Sequence, residues 1–136
     1  MTLFDVVGGC LYDKLGRVLI IKRSSRSKIE AGKWEIPKGK VRRGEDPKNA
    51  LVREIREEIG IKAEIRESLL QRSFSILGIR ILLQVFLIET EVSPVIEISS
   101  EHSDFAWVDR ETIGAYEFSI SMNSVVQELL EKYPVI

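Results

Sequence analysis

The segment from Asp46 to Gly60 limits the possible folds most, because it carries both the start and the stop signals of a helix. Asp46 can cap the first turn, and Pro47 fits the first helical position. Gly60 suits a left-handed C-terminal cap. We therefore predict a helix from Asp46 to Ile59. Its apolar residues recur every three or four positions and would form the buried stripe: Leu51, Val52, Ile55 and Ile59.

Extended segments lie on both sides of this helix. Before it, a turn at residues 13–16 joins two strands, which predicts a β-hairpin of residues 4–12 and 17–22. Further strands are predicted at residues 34–36, 61–74, 79–91 and 105–108. Loops are predicted at residues 24–33, 38–45 and 92–100, and a short helix or turn is predicted at residues 109–114. With a second helix over residues 120–133, the order predicts an α/β (α+β) fold with a mixed β-sheet covered by helices.

The composition favours a single globular domain. The 136 residues suit one hydrophobic core, so we predict one domain over residues 1–136. Hydrophobic residues make up 44% and charged residues 30%, a balance that argues against intrinsic disorder. With 20 basic and 21 acidic residues, the net charge of −1 lacks the basic excess of proteins that bind duplex nucleic acid.

Other features are typical of a cytoplasmic protein that does not enter membranes. Cys10 is the single cysteine and is expected in the core, which excludes a disulfide framework and favours a reducing compartment. Residues 1–5 lack the basic start of a signal peptide. The longest apolar run, residues 76–88, is too short and too polar to span a membrane. The single histidine, His102, excludes a three-histidine zinc site.

Three carboxylates of the predicted helix, Glu54, Glu57 and Glu58, share one face. Glu54 and Glu58 form a like-charge pair at i, i+4, which costs about 0.2–0.5 kcal/mol. Glu57 and Glu58 also lie in the last turn, where the helix dipole disfavours each negative charge by about 0.3–1 kcal/mol. A solvated acidic face is one interpretation. The other is a site for a hard divalent cation such as Mg²⁺ or Mn²⁺, which prefers carboxylate oxygens.

The loop before the helix extends this acidic pattern into a longer motif. The full spacing is Gly39-x5-Glu45-x7-Arg53-Glu54-Ile55-x-Glu57-Glu58-x-Gly60-Ile61. It resembles the Nudix box, G-x5-E-x7-R-E-U-x-E-E-x-G-U with U a bulky aliphatic residue, and matches it at every defined position over residues 39–61. The preceding segment, residues 32–39, is similar to the lead-in strand of MutT-like members. The resemblance implies a Nudix-type α/β/α sandwich.

The resemblance also implies a metal site on the helix and the loop before it. The implied ligands of Mg²⁺ or Mn²⁺ are oxygen donors: the backbone carbonyl of Lys38 or Gly39 and the side chains of Glu54, Glu57 and Glu58. Arg53 would orient these carboxylates, and Glu45 would fix the loop to the helix. Gly39 would let the loop approach the metal closely, and Gly60 would cap the helix.

The implied reaction is attack of water on a phosphorus of a nucleoside diphosphate linked to another group. The general base is left open by the resemblance, since members use either a glutamate of the box or an acid of a later loop. Glu101 is favoured as a further metal ligand or base over Glu97 and Asp104, because the segment 101–107 resembles one that places an acid near the metal. A surface acid is the alternative for Glu101. His102 could contact a phosphate or a base, but as a lone loop histidine it is expected to be solvated.

Basic residues around the motif predict contacts with substrate phosphates. We select Arg23, Lys38 and Lys40 as the substrate-binding residues, and a solvated basic loop is the alternative for the other cations, Arg26 and Lys28 among them. Three aromatic residues could stack on a base, although burial in the core is the commoner role of such residues: Trp34, Phe74 and Trp107.

The resemblance leaves two substrate classes open: a nucleoside triphosphate, cleaved to monophosphate and pyrophosphate, and a dinucleoside polyphosphate. Residues 74–77 lack both the proline of the family's ADP-ribose hydrolases and the tyrosine of many dinucleoside polyphosphate hydrolases. Residues 37–39 and 101–102 nevertheless resemble the dinucleoside polyphosphate group. A non-catalytic, nucleotide-binding sensor module is the alternative function. Many members dimerise, so a homodimer is a further expectation.

Overall fold

The computed structural model describes residues 3–90 and 94–132. In chain order, its elements are β1 (Leu3–Cys10), β2 (Val18–Arg23), β3 (Trp34–Glu35), β4 (Lys38–Lys40), α1 (Pro47–Ile59), β5 (Glu64–Ile76), β6 (Ile79–Glu89), β7 (His102–Val108), a 3₁₀ turn (Ile113–Ala115) and α2 (Met122–Lys132). The predicted ends of a strand at Glu91 and of the second helix at Tyr133 lie outside the described residues. So do residues 92–93 of a predicted loop.

The strands form two sheets. In the first, with the order β4-β1-β6-β5, β1 runs parallel to β6 and the other pairs are antiparallel. In the second, with the order β3-β2-β7, both pairs are antiparallel. The predicted α+β class with a mixed sheet is confirmed, although the strands are divided between two sheets.

The predicted hairpin of the first two strands is wrong. β1 pairs with β6 along its whole length, and β4 occupies the other edge of β1. Because a strand has only two edges for pairing, β2 pairs with β3 and β7 in the second sheet instead. Near the turn at Asp13, the two strands meet at a bridge between Tyr12 and Val18.

Two apolar clusters lie between the sheets and the helices. β2 is buried on both faces, since its side chains alternate between the clusters. Leu19 and Ile21 pack in the cluster that contains α1, whereas Val18 and Ile20 pack in the cluster that contains α2. Cys10 is fully buried in the α2 cluster, as expected. The sheets therefore lie between two helices, and the α/β/α sandwich is confirmed.

Helix α1 has the predicted bounds. The Asp46 side chain accepts hydrogen bonds from two backbone N–H groups of the first turn, and Gly60 adopts a left-handed φ of 71°. One residue of the predicted stripe is wrong, because Val52 is 37% exposed while Ala50 is fully buried. Val52 lies about 100° further round the helix than Leu51, which turns it away from the sheet.

The remaining differences from the predicted elements concern short segments. Residues 38–40 form β4 rather than loop, because they pair with the open edge of β1. β7 begins at His102 and not at residue 105. The predicted short helix or turn at residues 109–114 is confirmed, as a 3₁₀ turn at Ile113–Ala115. None of the helices in the described part of the chain is long and apolar enough to cross a membrane.

Candidate functional site

Glu58 is a buried carboxylate in the last turn of α1. It is 8% exposed, and its Oε1 accepts a hydrogen bond of 2.9 Å from the backbone N–H of Lys38. Burial, followed by repulsion from Glu35 and Glu54, raises the pKa of Glu58 well above its ordinary value. A charged Glu58 is therefore unfavourable here unless a cation or a further hydrogen-bond donor approaches it.

Arg53 holds two acidic side chains in place. Its Nε and Nη2 donate to the two carboxylate oxygens of Glu45, at 2.9 Å each, and its Nη1 donates to Glu54 Oε1 at 2.6 Å. Nη1 also lies 3.6 Å from Glu57 Oε1. Glu45 in turn accepts the backbone N–H of Arg42, so this carboxylate joins the loop to the helix. The hydrogen bonds from Arg53 and Arg42 lower the pKa of Glu45 to about 2.

Gly39 leaves the space that the Glu54 side chain occupies. A Cβ atom on Gly39 would lie 2.0 Å from Cδ and 2.4 Å from Cγ of Glu54. Burial raises the pKa of Glu54, and the neighbouring Arg53 opposes this shift. The requirement for glycine at this position is therefore steric, since any larger residue would displace a carboxylate of the helix face.

A polar pocket of about 320 Å³ lies beside Glu58. The backbone N–H of Ser24 donates to the carbonyl of Glu101 at 3.0 Å, so the loop 24–33 and the segment before β7 meet at this pocket. Its ionisable lining residues are Arg23, Arg26, Lys28, Glu58, Glu101 and His102. The structure thus brings together three residues of the predicted site: Arg23, Glu58 and Glu101.

The other predicted site residues are not part of this lining. Lys38 Nζ lies 3.2 Å from Glu35 Oε1, and Lys40 Nζ lies 3.7 Å from the centroid of the Phe4 ring. Glu54 and Glu57, the two helix carboxylates beside Arg53, also lie outside the polar pocket. The predicted site therefore has two parts, a pocket and an adjacent acidic helix face.

Glu35 and His102 form a buried pair that sequence reasoning missed. The expectation that His102 is solvated is wrong, since it is 7% exposed and its Nε2 lies 3.0 Å from Glu35 Oε2. His102 Nδ1 has no hydrogen-bond partner among the described residues. Burial opposes ionisation of Glu35, but Lys38, His102 and Arg23 together outweigh it and lower the pKa of Glu35 to about 2. The sequence signal that could have revealed this pair was the charged Glu35 between the apolar residues Trp34 and Ile36.

An apolar cavity of about 190 Å³ adjoins the polar pocket, because both are lined by Arg23. Its apolar walls come from β1, β5, β6 and the start of α2: Val6, Phe74, Ile76, Ile79, Leu83 and Met122. Its charged lining residues are Arg23, Glu30, Glu35 and Lys38. All three predicted aromatic residues pack against the core clusters, and Phe74 also lines this cavity. Sequence reasoning missed the cavity, because its walls lie far apart in the chain.

The carboxylates of α1 fit a hard divalent cation through their donor chemistry. As they stand, no three His, Cys, Asp or Glu side chains of the described ranges are grouped to hold a metal ion. The Lys38 N–H and Arg53 bind these carboxylates instead. A divalent ion would offset the repulsion between Glu54 and Glu58 and the burial of the Glu58 charge. The oxygen donors present therefore suit such an ion.

Comparison with known proteins points to one family. A model of the NUDIX domain matches residues 2–129. The CTP pyrophosphohydrolase of Escherichia coli (strain K12) is 40% identical over 67 residues, which are 49% of this chain and 48% of that protein. The 8-oxo-dGTP diphosphatase of Proteus vulgaris is 43% identical over 56 residues, 41% of this chain and 49% of that protein. The matches thus span about half the length of these curated relatives.

The fold is also similar to that of a solved structure. The crystal structure of the MutT protein from Methanosarcina mazei Go1 superposes with a TM-score of 0.86 and a sequence identity of 26%. The superposition covers 96% of this chain and 95% of that chain. The likeness therefore extends beyond the motif at residues 39–61 to the arrangement of both helices and both sheets.

Proposed function

This chain belongs to the Nudix family, and we propose that it hydrolyses a nucleoside triphosphate to the monophosphate and pyrophosphate with the help of a divalent metal ion. Its relatives are named as pyrophosphohydrolases and diphosphatases, which supports hydrolysis of a phosphoanhydride bond as the reaction of this Nudix chain. The family generally uses a divalent metal, and we propose Mg²⁺, with Mn²⁺ as the alternative.

One observation supports a mononucleotide best, namely that an apolar cavity and a polar pocket meet at Arg23. The apolar cavity of about 190 Å³ offers room for a base to be taken out of water. The polar pocket beside it offers the cations Arg26 and Lys28 to a chain of phosphates. A nucleoside triphosphate likewise has a base at one end and a chain of phosphates at the other.

The residues of α1 and of the adjoining segments have different proposed roles in the reaction. Metal ligands are proposed among the oxygen donors: Glu54, Glu57, Glu58, Glu101 and the backbone carbonyl of Lys38 or Gly39. When bound, the divalent ion neutralises phosphate charge and lowers the pKa of the attacking water. Glu101 or a helix glutamate accepts the proton of that water. Arg53 keeps the carboxylates oriented through its hydrogen bonds to Glu45 and Glu54.

Substrate phosphates are proposed to contact the cations of the polar pocket. Arg23, Arg26 and Lys28 line this pocket, so the two loop cations join the sequence-based proposal. Lys38, whose Nζ lies beside Glu35 Oε1, is also proposed to contact a phosphate. Lys40, which stacks on Phe4, would have to leave that ring to reach a phosphate.

A product assay tests this proposal directly. The protein is incubated with Mg²⁺ and a panel of nucleotides that includes CTP, dGTP, diadenosine tetraphosphate and ADP-ribose, with EDTA as the control. We expect a nucleoside monophosphate and pyrophosphate from a triphosphate, and no turnover in EDTA. Preferred cleavage of diadenosine tetraphosphate would support the second substrate class. Nucleotide binding without turnover of any compound would contradict the proposal and support a sensor module.

Replacement of Arg53 by lysine is expected to lower kcat/KM by about 10- to 100-fold, because outer partners of metal-binding carboxylates typically contribute this much. The lysine ammonium lacks the planar fork of the guanidinium, so it cannot reproduce the two-point contact with Glu45 together with the hydrogen bond to Glu54. Arg66→Lys is the matched control, since Arg66 also joins two glutamates, Glu64 and Glu89, but on the exposed surface. Equal activities of R53K and R66K would contradict the orienting role.

Three further predictions belong to the same proposal. One domain over residues 1–136 and a cytoplasmic location stay predictions, the latter resting on the single, buried Cys10. A homodimer also stays a prediction, which sedimentation of the purified protein would test.

A further inference from the structure

The carboxylate of Glu35 has cationic or donor partners on three separate segments of the chain. Its Oε1 lies 3.2 Å from Lys38 Nζ, and Arg23 Nη1 donates to both carboxylate oxygens at 3.1 and 3.2 Å. His102 Nε2 lies 3.0 Å from Oε2. Glu35 itself is 2% exposed; it is not part of the polar pocket's lining, but together with Arg23 and Lys38 it lines the adjoining apolar cavity. The carboxylate therefore lies where the two cavities meet, and it contacts Arg23 and His102 of the polar pocket's lining.

Each partner of Glu35 belongs to a different segment around the polar pocket and the apolar cavity. Arg23 ends β2 and directly precedes the cationic loop, which is the loop 24–33 with Arg26 and Lys28. Its guanidinium donates to the carbonyl of Ile29 and to Ser27 Oγ and thereby holds that loop. Lys38 is the residue of β4 whose backbone N–H binds Glu58. His102 directly follows Glu101, whose carbonyl accepts the Ser24 N–H.

We propose that Glu35 is a positioning residue that sets the relative placement of the cationic loop, of Glu58 beside β4 and of Glu101 before β7. The proposal rests on the proposed function, since these segments supply the phosphate-binding cations and the metal-binding carboxylates. In this role Glu35 contacts neither the metal nor the reacting phosphates. It acts through Arg23, Lys38 and His102.

The burial of this charge supports a role beyond stability. A buried ion cluster gains little over well-packed apolar side chains, because each charge loses its hydration. Such a cluster does define geometry, since a carboxylate with several charge-assisted hydrogen bonds accepts few arrangements of its donors. A position that needed only stability would hold an apolar residue, as the next position does with the fully buried Ile36.

The test compares Glu35→Gln with Glu35→Asp. Glutamine keeps the shape but loses the charge, and aspartate keeps the charge on a shorter side chain. Glu128→Gln is the matched control, because Glu128 also pairs with two cations, Arg72 and Lys132, away from the site. Thermal unfolding identifies a temperature at which all variants are folded. At that temperature, kcat and KM for the preferred nucleotide are measured, and Mn²⁺ affinity is measured by electron paramagnetic resonance without substrate.

We expect E35Q to lower kcat by about 10- to 100-fold and to weaken Mn²⁺ binding by a similar factor. KM should rise as well, because Arg23 and the loop that it holds are the proposed phosphate contacts. E35D is expected to recover part of both losses, and E128Q to match the wild type. A lower unfolding temperature with unchanged kcat and Mn²⁺ affinity would overturn the proposal, since Glu35 would then be structural only. An inactive wild type in which E35Q still weakens Mn²⁺ binding would support the positioning role and contradict the proposed function. Unchanged Mn²⁺ binding in an inactive protein would contradict both.

A second pair of variants covers the case in which E35Q does not fold. His102→Leu removes the hydrogen bond to Glu35, and it also removes the buried Nδ1, which has no partner among the described residues. His102→Gln restores an N–H donor for the Glu35 carboxylate. We expect H102L to lower kcat and Mn²⁺ affinity, and H102Q to recover most of the loss. Equal values for H102L, H102Q and the wild type would overturn the proposal.

Discussion

Replacement of Glu58 by glutamine is expected to lower kcat by about 10²- to 10⁴-fold while making the metal-free protein more stable near neutral pH. The loss of activity follows from the loss of a charged oxygen donor beside the polar pocket. The gain in stability follows from burial, because a neutral amide at this position avoids the desolvation of the carboxylate and its repulsion from Glu35 and Glu54. The glutamine oxygen can still accept the Lys38 N–H.

The pH dependence of this stability gain has a definite sign. The pKa of Glu58 is raised in the folded state, so the folded protein binds this proton more tightly than the unfolded chain does. The charged carboxylate therefore destabilises the fold at pH values above its raised pKa, and this penalty disappears as the pH falls towards the unfolded value of 4.5. The difference in the free energy of unfolding between E58Q and the wild type should be largest at high pH and vanish near pH 4.5.

Urea unfolding of both proteins in EDTA, at several pH values from 4.5 to 8, measures this difference. Glu57→Gln is the control for stability, because the Glu57 side chain is 52% exposed. We expect it to change the free energy of unfolding by less than about 0.5 kcal/mol at every pH. An E58Q protein that is less stable than the wild type at pH 8 would show that Glu58 contributes more to the fold than its burial costs.

The local part of the candidate site was predictable from the sequence. Helix α1 begins at the cap of Asp46 and ends at the left-handed Gly60, as their residue types indicate. Arg53 reaches Glu57 because residues four apart are neighbours on a helix. Glu45 reaches Arg53 across eight positions, and both residues belong to the motif. These contacts depend on spacing along a short segment, which a single sequence displays directly.

The rest of the site depends on pairings between distant segments, which spacing does not reveal. Glu35 and His102 are 67 positions apart, and they meet because β2 pairs with β3 on one edge and with β7 on the other. The prediction of a hairpin placed β2 beside β1, so this contact could not be foreseen. The sequence alone therefore predicted a solvated His102, because it does not show that β7 places this side chain next to Glu35. The same sheet order decides which cations of the loop 24–33 face Glu58.

Replacement of Gly39 by alanine is expected to lower kcat/KM by about 10²-fold, because a misplacement of about 1 Å in a reacting group can have this effect. The added Cβ would lie 2.0 Å from Glu54 Cδ, so the carboxylate must leave its place beside Arg53. The cost in the free energy of unfolding is expected to be about 1–3 kcal/mol, as for other overpacked positions. Two changes would then coincide, a moderate loss of stability and a large loss of activity.

The steric origin of this effect can be separated from the general cost of replacing glycine. Gly114→Ala is the matched control, because a Cβ on Gly114 has no heavy atom within 4 Å among the described residues and its φ is not in the left-handed range. We expect it to leave kcat/KM unchanged and to alter stability by at most about 0.5 kcal/mol. A second replacement, Glu54→Ala in the G39A protein, removes the clash but also the carboxylate. If Glu54 is needed for activity, the double variant should regain stability without regaining kcat/KM, whereas a recovery of both would mean that Glu54 merely obstructs the site when displaced.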